Sequence, residues 1–266
     1  MLRVHISDAK PGMVLAQPVY NPRSNSGTVL LRAEVSLSEN TIERLAEMKI
    51  PELWIQYPGM EMVGEFVSPK IMASRAEVAG DVSKAFIEAS NGAHAKLDFQ
   101  QYKCSMSKLL TNLIDDPKSA MFVGELVDSG APAVRHGANV GFLSLLLGMR
   151  LGFYLMRERK YVPSRYASDV TNLGVAGMLH DIGMMHLDEK VIKRWSKHHD
   201  ASDLEWQKHV NIGYQCVRGS LSASAASAVL HHHQHFDGSG FPTKERYGTE
   251  PTGLIGDEIH VFSRII

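Results

Sequence analysis

Histidine is concentrated in one part of this chain, and that concentration constrains the fold more than any other feature. Ten of the thirteen histidines lie between His180 and His260. They include the pair His180-Asp181 and, further along, the dense segment His231–Pro242. Neutral imidazole and carboxylate are the ligands that divalent transition metals select. The pattern therefore predicts a metal centre built between helices, in a fold that brings distant helices together.

Composition and charge exclude several classes of protein. The 266 residues are 44% hydrophobic and 21% charged, which is typical of a globular protein. The net charge of −1 gives no general attraction to nucleic acid or to an anionic membrane. Cys104 and Cys216 are far apart and form no CxxC pair, as expected of thiols in a reducing cytoplasm. The N-terminus has no apolar stretch long enough for a signal peptide, so we expect a cytoplasmic protein without a nucleic-acid partner.

One almost wholly apolar run, from Val140 to Met156, needs a separate decision. A membrane-spanning helix requires about twenty apolar residues, and this run is shorter and contains Arg150. We interpret it as a helix buried in a bundle and expect no membrane insertion.

The first part of the chain has strand signals. Short β-prone stretches are separated by Pro, Gly and Asn. They are Val4–Ile6, Met13–Leu15, Gly27–Leu31 and Leu53–Ile55. One helix is predicted between them, with Ser38 as its N-cap. We predict a small α+β accessory domain over residues 1–58.

The rest of the chain is predicted to be helical. From about Pro69 onward no stretch indicates a strand, whereas helical spacing recurs. The predicted helices cover 70–90, 98–115, 118–128, 131–157, 166–181, 203–218 and 222–234. Residues 59–97 are then a linker with a connecting helix, and residues 98–266 are an all-helical domain. The predicted fold class is mainly α, with a small strand-rich N-terminal domain.

The pair His180-Asp181 is the strongest ligand candidate. It ends the small and apolar stretch Gly174–Leu179, which predicts a buried helix. Burying both side chains unpaired would be costly, and a bound cation removes that cost. Side chains of adjacent helical residues point about 100° apart, so the carboxylate can bridge two ions. Gly183 lets the chain turn away.

The other histidines divide by context. His136 lies next to Gly137 in the long apolar helix and is a candidate ligand. His209 is ambiguous taken alone. A histidine doublet closes the apolar helix that ends at Leu230, and the residues leave open whether it is His231-His232 or His232-His233. Polar contexts place four other histidines at the surface: His186, His198, His199 and His260.

This set of residues resembles the HD-GYP family of bacterial cyclic di-GMP phosphodiesterases, a branch of the HD-domain metal-dependent phosphohydrolases. The matching order is His136, His180-Asp181, His209, His232-His233 and Asp237-Gly238-Ser239-Gly240-Phe241-Pro242. The likeness covers about residues 100 to 266, and its register selects His232-His233. Lys10–Ala16 is also similar to the start of a small module that precedes many such domains.

The resemblance implies a helical HD-type bundle with two divalent ions, which would be bridged by Asp181. His136 and His180 would serve one ion, and His209, His232 and His233 the other. A His/carboxylate site of five or six ligands suits iron or manganese better than zinc. Asp181 and His180 would be catalytic, and the substrate-binding loop would be Gly238, Ser239, Gly240, Phe241 and Pro242.

The implied activity is hydrolysis of cyclic di-GMP to linear pGpG. Cyclic di-GMP is thus the implied small-molecule partner, GGDEF-domain proteins are the implied signalling partners, and a homodimer is a further expectation.

The sequence departs from the family pattern at several positions. Met184 stands where members usually carry Lys, Gln234 replaces the Glu after the His pair, and Phe241 replaces the Tyr of Gly-Tyr-Pro. Pro132 stands where members with a third metal carry a Glu, so we expect slow or no second cleavage to GMP. The residues up to Ile266 resemble the stretch just before the family's last metal-binding Asp. Either the chain continues and supplies that Asp, or the domain lacks this ligand.

These departures keep a second function open. The domain could bind metal and cyclic di-GMP without turning the nucleotide over, as a signalling or interaction module. Met184 favours this alternative, whereas the complete histidine set favours the enzyme. A general HD nucleotide phosphohydrolase is a third interpretation, against which the Asp237–Pro242 loop argues.

Overall fold

The computed structural model describes residues 2–21, 29–59, 68–92, 97–117, 132–246 and 249–266. The chain divides into two compact units. The first contains residues 1–80 and 108–135, and the second contains residues 81–107 and 136–266. The predicted domain boundaries at residues 58 and 97 stay a prediction.

Short antiparallel strand pairs form the N-terminal part of the first unit. Strand β1 (Leu2–His5) pairs with β4 (Glu52–Ile55), and β2 (Val19–Tyr20) pairs with β3 (Val29–Leu31). Helix α1 (Glu39–Glu47) precedes β4. Its N-cap is Ser38, as predicted, and the Ser38 hydroxyl accepts a hydrogen bond from the Thr41 backbone N–H.

The side chains around these strands form one small apolar core. Its buried members are Leu15, Val19, Leu37, Leu45, Ile50, Leu53 and Ile55. The predicted strand at Met13–Leu15 is reduced to two isolated bridges, in which Val14 pairs with Ser36 and Leu15 with Ile55.

Helices make up most of the remaining described residues, and the predicted fold class is confirmed. They are α2 (Pro69–Ser90), α3 (Phe99–Asp115), α4 (Pro132–Arg150), α5 (Gly152–Glu158), α6 (Ser164–Ala167), α7 (Thr171–Leu179), α8 (Glu189–His198), α9 (Leu204–Val217), α10 (Ala223–His231) and α11 (Val261–Ile265). A 3₁₀ helix, Ile182–His186, follows α7. The predicted helix at 118–128 lies outside the described residues.

The predicted helix 131–157 is two helices. Helices α4 and α5 meet at Leu151 with a bend of 85°. Gly152, which opens α5, is a weak helix former because its backbone loses the most freedom on ordering. In the described part of the chain, no single helix is long and apolar enough to cross a membrane, and α4 and α5 meet that test only as a bent pair.

The expectation of no strand after Pro69 is wrong. Strands β5 (Lys244–Arg246) and β6 (Thr249–Thr252) form an antiparallel pair. Both are short and polar and have no alternating apolar pattern, so the sequence gives little signal for them. Helix α8 was also missing from the predicted helices, although its apolar residues Val191, Ile192 and Trp195 have helical spacing.

Candidate metal centre

The candidate ligands lie on helices of the second unit, most of them at or near a helix end. His180 is the C-cap of α7 and His232 is the C-cap of α10. His209 is fully buried in the middle of α9, whereas His136 lies near the start of α4 with 56% of its side chain exposed. Four helices therefore each bring at least one imidazole to a common point.

Two glycines allow the backbones around this point to approach closely. A Cβ on Gly137 would lie 2.7 Å from the Met178 carbonyl oxygen, so α4 packs directly on α7. A Cβ on Gly183 would overlap the His209 carbonyl oxygen and lie 2.6 Å from the Gly213 backbone nitrogen. Side chains at either position would push the histidine-bearing segments apart.

Asp181 lies between two groups of histidines. Its Oδ2 is 3.3 Å from His180 Nε2 and 3.7 Å from His136 Nε2. Its Oδ1 is 3.5 Å from the Nε2 atoms of both His209 and His232. Each carboxylate oxygen therefore faces its own group, which is the arrangement that a bridging ligand requires.

Three of these imidazoles are oriented by their own helices. The Nδ1 atoms of His180, His209 and His232 lie 2.7, 2.7 and 2.9 Å from carbonyl oxygens three residues earlier. A carbonyl oxygen can only accept, so each Nδ1 carries the hydrogen and donates it. In the neutral ring Nε2 then has a free lone pair, which is the tautomer that metal-bound histidine uses.

The separations between donor atoms fit a bound cation. His180 Nε2 is 3.2 Å from His136 Nε2, and His209 Nε2 is 3.4 Å from His232 Nε2. Two nitrogen lone pairs this close require a proton or a cation between them. Metal–ligand bonds of about 2.1 Å place neighbouring ligand atoms roughly 3.0 to 3.4 Å apart. The ligand atoms form two sets, and within each set all of them lie within 4.8 Å of one another. One set comes from His136, His180 and Asp181, and the other from Asp181, His209, His232 and His233.

Burial keeps several of these rings neutral. It lowers the pKa of His209 to about 4 and that of His233 to about 3. Burial also lowers the pKa of His136 and His232. A neutral imidazole is the form that binds a metal, so at neutral pH these ligands need not lose a proton first.

Asp181 and His180 depart from this rule because they interact strongly with each other. Burial opposes ionisation of Asp181, but the charge and hydrogen bond of His180 outweigh it, and the pKa of Asp181 lies well below its usual range. Burial acts to lower the pKa of His180, but the Asp181 charge outweighs it and raises that pKa. Without a cation, Asp181 therefore stays ionised at neutral pH, and its charge favours the protonated form of His180.

An aromatic cluster lies behind the second histidine group. Trp206 is buried, and its ring centroid is 4.7 Å from that of His209 and 5.0 Å from that of His233. The Phe241 ring stacks on His233 with centroids 4.7 Å apart and planes 21° apart. Met184 packs against the same apolar cluster. Position 184, where the family resemblance predicts a Lys, is therefore occupied by an apolar side chain in a hydrophobic contact.

The loop predicted to bind substrate lies beside this cluster. Its exposed Asp237 accepts hydrogen bonds from the backbone N–H (2.9 Å) and hydroxyl (2.7 Å) of Ser239. Gly238 and Gly240 are buried, and Phe241 N–H donates to the His233 carbonyl oxygen at 3.2 Å. The loop is thus held against the histidine doublet, with Ser239 on its exposed side.

Histidines outside the two groups have other surroundings. His198 and His199 are exposed, as expected. His186 and His260 are half-buried and do not lie freely at the surface. His186 Nε2 is 3.6 Å from the Cys216 sulfur, and His260 Nδ1 accepts from the Phe262 backbone N–H. Neither belongs to the two candidate groups.

Sequence reasoning missed two residues that shape this centre. Trp206 packs its ring against His209 and His233, and an aromatic side chain one helical turn before a histidine was a usable signal. Gln234 connects the loop to the β5–β6 hairpin, with its Nε2 donating to the Pro242 carbonyl and its Oε1 accepting from the Leu254 N–H. That hairpin was not predicted, so no sequence signal pointed to the contact.

Comparison with known proteins defines the class. Residues 164–266 match the sequence profile of the family described as "HD domain". The matched region, which contains five of the six candidate ligands, is therefore similar to HD domains. The family likeness drawn from the sequence is confirmed at this level, whereas the likeness of the N-terminal module stays a prediction.

Two curated relatives are more specific. The chain is 29% identical over 101 residues to the cyclic di-GMP phosphodiesterase response regulator RpfG of Xanthomonas campestris pv. campestris, covering 37% of this chain. It is 32% identical over 98 residues to the cyclic di-GMP phosphodiesterase PA4108 of Pseudomonas aeruginosa, covering 36% of this chain. The alignments cover 24% and 22% of these relatives' lengths. No solved structure matches the chain.

Proposed function

We propose that this protein is a metal-dependent phosphodiesterase that hydrolyses cyclic di-GMP to linear pGpG. The observation that carries the proposal is the position of Asp181, whose two oxygens face separate histidine groups at 3.3 to 3.7 Å. The names of both relatives support the choice of substrate.

The proposed ligands are the six residues predicted from the sequence. His136 and His180 would hold one ion, and His209, His232 and His233 the other, with Asp181 shared. Two such ions, with iron or manganese favoured by the ligand type, would supply a hydroxide at neutral pH and neutralise charge on the phosphoryl oxygens.

The protein's own residues have distinct parts in this proposal. Three imidazoles donate their Nδ1 hydrogens to backbone carbonyls, so that Nε2 faces the centre. These carbonyls belong to Gly177, Trp206 and Val229. Trp206 and Phe241 exclude water from one side of His209 and His233. His136, half-exposed, lies on the open side, where a diester would approach. The Gly238–Pro242 loop would shape the substrate site, with Ser239 as its exposed polar group.

The test combines metal analysis with product analysis. Protein purified without oxygen should hold about two metals per chain, as in other two-metal sites, and should convert cyclic di-GMP to pGpG without forming GMP. Hydrolysis that persists in metal-free protein would overturn the proposal, and so would a metal-loaded protein that leaves cyclic di-GMP intact over many hours.

A second function has one observation in its favour. Met184 packs into the apolar cluster of Val191, Trp206, Val210 and Phe241, where it offers no proton and no charge to a phosphate. A metal-containing module that binds cyclic di-GMP without turnover would fit this contact. Equilibrium binding measured beside hydrolysis separates the two functions, because the module would bind the nucleotide and release it unchanged.

A further inference from the structure

The side chain of Gln234 joins three segments that meet at the second histidine group. Its backbone N–H donates to the His231 carbonyl at the end of α10. Its carboxamide Nε2 donates to the Pro242 carbonyl at 2.8 Å, and its Oε1 accepts from the Leu254 N–H at 2.6 Å. One half-buried residue therefore fixes the loop and the chain after β6 to the helix end.

We propose that Gln234 is a positioning residue that holds the Gly238–Pro242 loop, and through Phe241 the ring of His233, in the geometry of the site. The proposal rests on the proposed function in that it assigns the loop and His233 to that site. Gln234 follows directly after the ligand pair, and its carboxamide contacts the backbone of Pro242 and Leu254, so its proposed role is to position other residues.

The surroundings of the carboxamide leave no room for displacement. A Cβ on Gly253 would overlap Gln234 Oε1 and lie 2.6 Å from the Gly240 carbonyl oxygen. A Cβ on Gly240 would overlap the backbone of residues 233 to 235, including the His233 carbonyl. The loop backbone thus lies directly on the backbone of the histidine doublet, and the carboxamide occupies the remaining space beside it.

The two hydrogen bonds require opposite roles of the two carboxamide atoms. The Pro242 carbonyl oxygen needs a donor and the Leu254 N–H needs an acceptor, and a carboxamide supplies both. An ionised carboxylate of the same shape accepts only, and would set an oxygen against the Pro242 carbonyl. The Gln that departs from the family's Glu is therefore matched to its neighbours in this chain.

Pro242 is adjacent to the residue that contacts the metal-ligand candidate. Phe241 stacks on His233 and donates its backbone N–H to the His233 carbonyl. If the Pro242 carbonyl lost its hydrogen bond from Gln234, Phe241 would be held in this stack only by its own contacts with His233. The effect should reach the group of His209, His232 and His233, and leave the His136–His180 group unchanged.

The test is Gln234→Glu, which keeps the shape and removes the donor. The matched control is Gln207→Glu, because Gln207 Nε2 also donates to a backbone carbonyl, that of Ala201, at 2.8 Å. Leaving a carbonyl without its donor corresponds to roughly a 5- to 100-fold change in an equilibrium. We expect Gln234→Glu to hold about one metal per chain in place of two. With metal in excess so that both sites are filled, we expect its KM for cyclic di-GMP to rise about tenfold, with kcat close to that of the wild type.

The melting temperature and the metal count together decide the outcome. A Gln234→Glu protein with the metal content and KM of Gln207→Glu would overturn the proposal. If Gln234→Glu does not fold, Gly253→Ala tests the same contact from the other side, and wild-type metal content and KM in that variant would likewise overturn it. A wild-type protein that binds two metals without hydrolysis would end the proposed function, while the metal count of Gln234→Glu would still test the positioning role.

Discussion

The two sides of Asp181 differ in burial and in number of ligands. On one side, His209 is fully buried and His232 and His233 complete a group backed by Trp206 and Phe241. On the other side, His136 joins His180 as the one further imidazole among the described residues, and its side chain is 56% exposed. The buried side is fixed by packing and the open side by the approach of α4 to α7. We therefore expect substitutions on the buried side to cost stability and metal, and substitution of the exposed His136 on the open side to cost metal alone.

Replacing Asp181 should have the largest effect, because this residue belongs to both sides. Asp181→Ala removes a ligand from both groups, and we expect metal content to fall from about two per chain to nearly none. Hydrolysis of cyclic di-GMP should fall below detection. Elemental analysis of anaerobically purified protein measures the loss. The control is Asp200→Ala, since Asp200 is an exposed carboxylate that accepts hydrogen bonds from the backbone N–H and hydroxyl of Ser202. Loss of a single metal in Asp181→Ala would show that the carboxylate is not shared.

Single histidine substitutions then separate the two sides. His209→Gln should lose one metal and lower the free energy of unfolding by about 1 to 3 kcal/mol, because it disturbs a fully buried hydrogen-bonded ring. His136→Gln should lose the other metal and change stability by less than about 0.5 kcal/mol. Chemical denaturation and metal analysis on both variants make the comparison. The exposed His199, changed to Gln, should leave both quantities unchanged. Equal stability losses in His209→Gln and His136→Gln would abolish the distinction drawn here.

The buried side also predicts a pH dependence for the metal-free protein. The pKa values of His209 (about 4) and His233 (about 3) lie below the ordinary value of 6.5, so between these values the unfolded chain binds more protons. The stability from neutral rings is fully present above about pH 6.5 and is lost as the pH falls toward the folded values. The pKa of His180 is raised, so this one residue acts in the opposite direction and favours the folded state more at lower pH.

The melting temperature of metal-free protein should therefore be lower at about pH 5 than at about pH 7. His209→Gln should reduce this difference, because glutamine does not titrate. The same measurement on His198→Gln, at an exposed position, serves as the control. A melting temperature that rises on acidification would mean that His180 outweighs the buried group.

Met184 tests the smallest effect, at the edge of the buried side. Met184 is half-buried, so the ammonium of Met184→Lys can extend to water while its stem remains in the cluster. We expect metal content to stay near wild type, and hydrolysis to rise by about tenfold or more through proton donation or contact with a phosphate oxygen. Met184→Leu is the control for packing. A stable Met184→Lys protein with no gain in rate would favour the non-catalytic signalling function.

The sequence predicted the histidine groups better than their surroundings. His180-Asp181 at the end of an apolar stretch indicated a buried helix end, and α7 ends there. The doublet needed the family register, because His231 and His233 have similar neighbours in sequence. In the structure, His231 Nδ1 lies 3.1 Å from the Ser227 hydroxyl and outside both groups. The role of each ligand stays a prediction until metal is measured.

Long-range contacts could not be predicted from the sequence. The β5–β6 hairpin has polar strands without an alternating apolar pattern. The hydrogen bond between Gln234 and Leu254 can form only because that hairpin brings the following residues beside Gln234. The bend at Leu151 was also missed, because the apolar run continues through it and periodicity does not report a change of direction. Sequence patterns thus identify what a residue can bind, whereas they say less about which segments meet.

The hydrogen bonds from His180, His209 and His232 to carbonyls three residues earlier have a consequence for how such a site tolerates change. The direction of each ring is encoded within four consecutive residues, through a main-chain group that every amino acid supplies. Mutations elsewhere in the chain can shift the helices without changing the orientation of each ring on its helix or the nitrogen that carries its hydrogen. A designer who transplants this centre would therefore need to preserve where α7, α9 and α10 meet, since each of these helices already aims one ligand, and to position His136, His233 and Asp181 separately.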